Sequence, residues 1–239
     1  MIDPRPGGRT YAHTRRVRLG DVSPKGRLRL DAVARYLQDV AADDGHDAIG
    51  SAADPWVVRR TTLEVEQFPV LREHLTITTW AAGTGARWAE RRTSLAGDRG
   101  GRVEAAALWV YVDMATGRPK KLSEEFWREY GTAVGDRTVH ARLTHKDAPP
   151  ADARRGPWTA RFTDFDVLGH VNNALYWAMV EETADVRAPF TASIEYRGGL
   201  DRGQEVTLVA DGRDLWILGD GVVAATGRLE GEGLYFQTP

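Results

Sequence analysis

Cysteine is absent from this chain of 239 residues. That excludes a disulfide framework, a thiolate metal site and a thiol nucleophile, and it fits a reducing compartment. Long apolar runs are absent too. Nothing approaches the roughly 18 consecutive apolar residues of a membrane-spanning helix, so no membrane partner is expected. An excess of one charge is also missing. There are 32 basic and 34 acidic residues, a net charge of −2, which gives no global attraction to nucleic acid or anionic lipid. The opening MIDPRPGGRT lacks the apolar core of a secretory signal. A cytoplasmic location is the expectation. His13, His46, His74, His140 and His145 are scattered, without the close His spacing of a metal site. The glycine-rich GTGAR at 83–87 lacks the lysine of a phosphate-binding loop. No metal and no cofactor are expected. What is present is 42% hydrophobic and 28% charged, the balance of a globular protein with a sizeable core.

Along the chain, residues 1–10 are rich in Pro, Gly and Arg and read as loose. YAHTRRVRLGDV alternates as a strand does. RLRLDAVARYLQDVAADDG follows, with Leu30, Val33, Ala34, Leu37, Val40 and Ala41 on one helical stripe. TTLEVEQ, HLTITTWAAG, WAERRTSLAG and RVEAAALWVYVD then read as strands. SEEFWREYG reads as a short helix capped by Ser123. THKDAPPADARRGP is charged, Pro-rich and aperiodic, and reads as a linker. After it the order returns: WTARFTDFD as a strand, NNALYWAMVEETADVRA as a helix, and ASIEYRG, QEVTLVADG, DLWILGD and VVAATGRLE as strands. The pattern predicts an α+β chain in two halves, 1–145 and 146–239.

The halves can be laid on each other. With Asp21 on Asp164, an offset of 143 residues, Arg18 falls on Arg161, Gly26 on Gly169, Leu37 on Val180 and Ala41 on Ala184. LEVEQFPVLREHLTI mirrors IEYRGGLDRGQEVTL at an offset of 131, as if the second copy had lost part of a helix-to-strand loop. A duplication separates scaffold from chemistry. Asp21/Asp164 and Gly26/Gly169 occur in both copies and read as turn-makers. Asp166, His170, Asn172 and Asn173 face Ser23, Arg27, Arg29 and Leu30 in the first copy. Chemistry is therefore expected in the second half. Asn172 and Asn173 read first as helix caps, and Tyr176 and Trp177 as core or channel wall. Glu181 and Glu182 read as a solvated or interface face. Glu195 and Arg197 read as a cross-strand pair. RPKK at 118–121, Arg91-Arg92, Arg154-Arg155 and Arg197 are candidate basic patches for an acidic partner.

DFDVLGHVNNALYW resembles the signature of hotdog-fold thioesterases, in which Asp-x-x-Gly-His-Val-Asn-Asn leads into the central helix. The two-copy layout over about residues 14–210 is similar to that of the acyl-ACP (acyl carrier protein) thioesterases, which carry two hotdog domains in one chain. The resemblance implies a tandem hotdog fold, each unit a curved antiparallel sheet wrapped on one long helix, joined as a pseudo-dimer within one chain. A further homodimer is compatible with it. It also implies hydrolysis of fatty acyl thioesters, acyl-ACP first and acyl-CoA second, within fatty acid biosynthesis. A hotdog protein that holds an acyl chain without hydrolysing it is the reading from another class.

By the same resemblance, Asp166 is the nucleophile or the base for water and His170 is the motif histidine. Asn172 and Asn173 are its paired asparagines. Backbone N–H groups near Gly169–Val171 are then expected to hold the oxyanion. Two departures are visible. Plant enzymes of the family place Asn where Leu168 stands, and a Glu-Cys pair where Gly199 and Leu200 stand. The Asp-x-x-Gly form is closer to small acyl-CoA thioesterases of the 4-hydroxybenzoyl-CoA type, which leaves Asp166 as the centre.

Overall fold

In a computed structural model, described for residues 2–50, 56–113, 115–231 and 236, the two halves build one continuous sheet. The first half supplies β1 (Tyr11–Arg16), α1 (Leu30–Ile49), β2 (Trp56–Gln67), β3 (His74–Thr84), β4 (Trp88–Gly97), β5 (Arg102–Tyr111) and α2 (Glu124–Val134). The second supplies β6 (Arg154–Trp158), α3 (Leu175–Thr183), β7 (Phe190–Tyr196), β8 (Val206–Asp211), β9 (Asp214–Gly219) and β10 (Val222–Glu230). Strand order across the sheet is β1-β3-β4-β5-β2-β7-β10-β9-β8-β6. Read inward from either edge the order is the same, and every neighbouring pair is antiparallel. This is the expected α+β, tandem hotdog architecture.

The seam shows the symmetry residue by residue. Arg60 lies opposite Glu195, and Glu64 opposite Thr191. At the 131 offset Thr191 is the counterpart of Arg60, and Glu195 of Glu64. Each pairing is therefore the image of the other, as in a two-fold interface. The edges resist further pairing: β1 carries His13, Arg15 and Arg16, and β6 carries Arg154, Arg155 and Pro157.

α1 forms because Leu30, Val33, Ala34, Leu37 and Val40 recur at helical spacing and are buried against the sheet. α3 is only nine residues long, with Tyr176, Trp177, Met179, Val180 and Thr183 all buried. The expected helix to 188 stops early. Thr183 Oγ1 donates back to Met179 O at 2.7 Å, and Ala184 is already extended. α1 and α3 pack against each other across the pseudo-two-fold.

Further expectations are corrected. WTARFTDFD is not one strand: β6 begins at Arg154, inside the expected linker, and Phe162–Asp164 form a 3-10 turn. The rest of the linker is anchored. Buried Glu195 accepts from Thr144 N at 2.8 Å and His145 N at 3.0 Å. Glu195 therefore does not pair with Arg197, which binds Asp147 at 2.8 Å instead. Residues 2–10 are tied down as well, through Arg9 to Asp44 at 2.8 Å and Arg5 to Asp136 at 2.5 Å.

Candidate active site

Both halves build the same turn ahead of their helix. In the first, Asp21 N donates to Arg18 O (3.1 Å), Ser23 N to Arg27 O (2.8 Å), Gly26 N to Ser23 O (2.8 Å) and Arg29 N to Asp21 O (3.0 Å). In the second, Asp164 N donates to Arg161 O (3.0 Å), Asp166 N to His170 O (2.9 Å), Gly169 N to Asp166 O (3.0 Å) and Asn172 N to Asp164 O (2.8 Å). Each bond is the other's image at the 143 offset. Gly26 and Gly169 close these turns at φ +76° and +84°, a left-handed conformation that a Cβ would strain. Asp21 and Asp164 accept the amides of Arg18 and Arg161 at 3.3 and 2.8 Å. They are built into the turn in both copies.

Against that common frame the side chains differ. Ser23 Oγ accepts Lys25 N at 3.3 Å, and Asp166 Oδ1 accepts Leu168 N at 2.9 Å. The turn needs only one acceptor there, and a hydroxyl suffices. The second oxygen of Asp166 is surplus to the scaffold. His170 is half-exposed, and its Nδ1–H donates to Asp201 Oδ1 at 2.6 Å. A carboxylate can only accept, which fixes the proton on Nδ1 and leaves Nε2 with a lone pair when the ring is neutral. Asp201 was not singled out by the sequence. It comes to the ring through the His170–Asp201 bridge, 31 residues away along the chain. Gly199 makes room for the pair, since a Cβ there would lie 3.0 Å from His170 Nδ1.

The expected oxyanion donors are corrected in part: of the three amides at Gly169–Val171, only that of His170 has no protein partner among the described residues. Gly169 N closes the turn, and Val171 N donates to Leu200 O at 2.9 Å. Neither amide is free. The helix starts at Leu175 rather than beside Gly169, and Asn173 N–H, closer to that start, has no protein partner among the described residues. Asn172 Oδ1 accepts Ala174 N at 2.9 Å, an Asx turn ahead of the helix; the N-cap is Ala174, without a side-chain cap, so neither asparagine is the expected cap of α3. Asn173 O accepts the Tyr196 hydroxyl at 3.2 Å. Tyr176 is buried, its ring 5.3 Å from that of Tyr196. Its hydroxyl pKa is pushed up by burial and by the charges of Asp201 and Asp166. Asp166, Gly169, His170, Tyr176 and Asp201 thus gather at one place.

In the first half the corresponding place is sealed. Arg27 stands where His170 stands, and its guanidinium lies over the Phe68 ring at 4.1 Å. Glu181 reaches across from α3. Its Oε1 is 2.6 Å from Arg27 Nη1, and its Oε2 accepts Leu30 N at 2.6 Å. Glu181 is largely buried, at 13% side-chain exposure. Burial pushes its carboxyl up, more than the Arg27 charge pulls it down. It serves the interface between the halves rather than a solvated face.

A cavity of about 670 Å³ opens between α1, α2 and β3–β5. Trp56, Trp109, Tyr111, Phe126 and Tyr130 make its aromatic wall, and Gln38 of α1 belongs to its lining. At its polar side Arg91 and Tyr130 both bind buried Asp44, at 2.6 and 2.9 Å. Arg92 binds Glu90 at 2.9 Å, so Arg91-Arg92 is not a free basic patch. Lys120 sits 4.6 Å over the Tyr111 ring. Among the described residues no cluster of His, Asp and Glu is arranged to hold a metal ion. No helix there is long and apolar enough to cross a membrane.

Comparison with known proteins gives a consistent family. The family model described as the acyl-ACP thioesterase N-terminal domain matches residues 8–130, and that of the C-terminal domain matches 148–223. Uncharacterized protein MT2057 of Mycobacterium tuberculosis is 31% identical over 237 residues, covering 94% of each chain. The chloroplastic dodecanoyl-[acyl-carrier-protein] hydrolase of Cinnamomum camphora is 26% identical over 198 residues, and those span 74% of this chain and 52% of that one. Among solved structures, an acyl-ACP thioesterase from Bacteroides thetaiotaomicron superposes with TM-score 0.78 at 17% identity, covering 92% of this chain and 97% of that one. The 12:0-ACP thioesterase of Umbellularia californica gives 0.74 at 20%, covering 95% and 98%. Likeness at that identity speaks for the fold.

Proposed function

The chain belongs to the acyl-ACP thioesterase family and is a thioester hydrolase acting on fatty acyl thioesters; from that premise we propose that it releases free fatty acid from acyl-ACP, with the Asp166–His170 turn as its one reaction centre. The carrying observation is the contrast between two identical turns. Ser23 supplies all that the turn requires. Asp166 adds a carboxylate oxygen, and His170 adds a ring oriented by Asp201. A thioester carbonyl needs a nucleophile and a place for the developing oxyanion, while thiolate leaves readily. Asp166 acts as base toward water or as the nucleophile itself. His170 Nε2 lies at the same turn to exchange the proton that ends on the thiol. Gly169 shapes the turn for close approach, Asn172 holds the helix start, and Asn173 and Tyr176 line the approach. The cavity of the first half takes the acyl chain, and its volume falls in the roughly 300–1,000 Å³ range of small-molecule sites.

The halves 1–145 and 146–239 then divide the work between chain binding and chemistry. We place the enzyme in the cytoplasm, in fatty acid biosynthesis, without metal or cofactor. Thiol release from acyl-ACP and acyl-CoA of matched chain lengths tests the assignment. We expect kcat/KM to favour acyl-ACP. A strong preference for acyl-CoA overturns the carrier assignment, and no release from either overturns hydrolysis.

A further inference from the structure

The pseudo-two-fold relates more than the turns. Glu181 in α3 crosses to the first-half turn and meets Arg27 and Leu30 N. At the 143 offset the counterpart of Glu181 is Gln38, that of Arg27 is His170, and that of Leu30 is Asn173. α1 and α3 pack on each other, and the sheet seam is symmetric, with Arg60 opposite Glu195 and Glu64 opposite Thr191. A relation that brings α3 to the first turn also brings α1 to the second. By this relation Gln38 is the α1 counterpart of Glu181, the position assigned to the His170–Asn173 turn.

Its surroundings fit a group reserved for a ligand. Gln38 is half-buried and lines the cavity. Its carboxamide has no hydrogen-bond partner among the described residues. The Asn173 amide has none either. In the first half the equivalent amide, Leu30 N, is taken by a carboxylate oxygen at 2.6 Å. That oxygen is negatively charged and lies near a helix start. An oxyanion formed from a thioester carbonyl has the same requirements.

We propose that Gln38 is a catalytic residue contributed by the first half, and that its Nε2–H together with Asn173 N–H holds the thioester carbonyl oxygen as it becomes an oxyanion. This rests on the Asp166–His170 turn being the reaction centre. It replaces the Gly169 and Val171 amides, which already bond Asp166 O and Leu200 O. It also makes the duplication functional, since neither half then holds the whole site.

The test measures thiol release from dodecanoyl-ACP and palmitoyl-ACP by the full chain carrying Gln38→Leu, Gln38→Glu or Asp166→Asn, with Tm recorded for each. One oxyanion donor is worth about 10²–10³ in kcat. We expect Gln38→Leu to lose about 100-fold in kcat with little change in KM, because the bond forms only in the transition state. Gln38→Glu has the same size but replaces the donor by a charge that repels the oxyanion, so at pH 8 it should fall at least as far. A packing role would spare Gln38→Glu. If Gln38→Leu does not fold, Gln38→Glu alone decides. Retention of kcat within twofold in either folded variant, or a loss confined to KM, overturns the inference while Asp166→Asn stays inactive. Activity in Asp166→Asn instead overturns the reaction centre on which the inference stands.

Discussion

At the residue scale, the contrast between Ser23 and Asp166 carries the account. Both side chains accept the amide two residues on, from Lys25 and Leu168, so the local turn explains an acceptor and not a charge. The GHVNN stretch made Asp166, His170, Asn172 and Asn173 legible in the sequence, and the repeat separated them from Asp164. Asp201 was not legible. Its role depends on a bridge that brings a loop beyond β7 back to His170, and no short-range pattern encodes that. The Gly169 and Val171 amides read as oxyanion donors for a related reason: whether an amide is free depends on partners such as Leu200 O. The His170–Asp201 pair is exposed, at 50% and 61% for the two side chains, so it contributes about 1 kcal/mol or less to stability. Its work is to orient the ring. Asp201→Asn should lower kcat/KM about tenfold with Tm unchanged. An unchanged kcat/KM contradicts the orienting role.

At the element scale, the helices are where propensity and packing part company. The stripe from Leu30 to Val40 announces α1, and Ser123 announces the start of α2 by accepting Phe126 N at 3.2 Å. α3 reads in sequence as a longer helix than it is, because the contact that ends it, Thr183 back to Met179 O, is one side chain's choice. The same short helix carries Glu181, whose position reads in sequence as either a solvated or an interface face. Only the pseudo-symmetric packing of α3 against the first half shows that it meets Arg27 and Leu30. Removing one member of such a pair leaves a largely buried charge and an unpaired amide. Glu181→Ala should therefore cost about 2–3 kcal/mol, below the full figure for a wholly buried pair because Arg27 keeps some solvent. Equilibrium unfolding in urea measures it. A loss under 0.5 kcal/mol, an exposed-pair value, would show that the interface does not rest on this contact.

At the scale of the whole molecule, the duplication was legible as an offset that held from Arg18 to Ala41. The strand order and the continuous sheet follow from it once each half needs a partner along β2 and β7. The linker was legible as a break in periodicity, but its attachment was not. His145 is buried on the outer face of the sheet, with Nε2 2.9 Å from Ser193 Oγ and Nδ1 3.2 Å from Thr226 O. Burial holds its pKa below the ordinary value of 6.5. A depressed histidine contributes stability above the unfolded pKa, and that stability is lost as pH falls through it. We expect Tm to fall as pH drops below about 6.5. In His145→Asn the slope should flatten between pH 6.5 and 5. An unaltered slope would assign the acid sensitivity to other groups.

The central claim is that one turn of two does the chemistry, and single-turnover hydrolysis of dodecanoyl-ACP by the wild-type chain and by Asp166→Asn tests it most directly. The substitution keeps an acceptor for Leu168 N and so keeps the turn. We predict a folded protein of unchanged Tm that binds the acyl carrier and releases fatty acid at least 10³-fold more slowly, a loss of about 4 kcal/mol in transition-state stabilisation. Hydrolysis within tenfold of wild type would contradict the account.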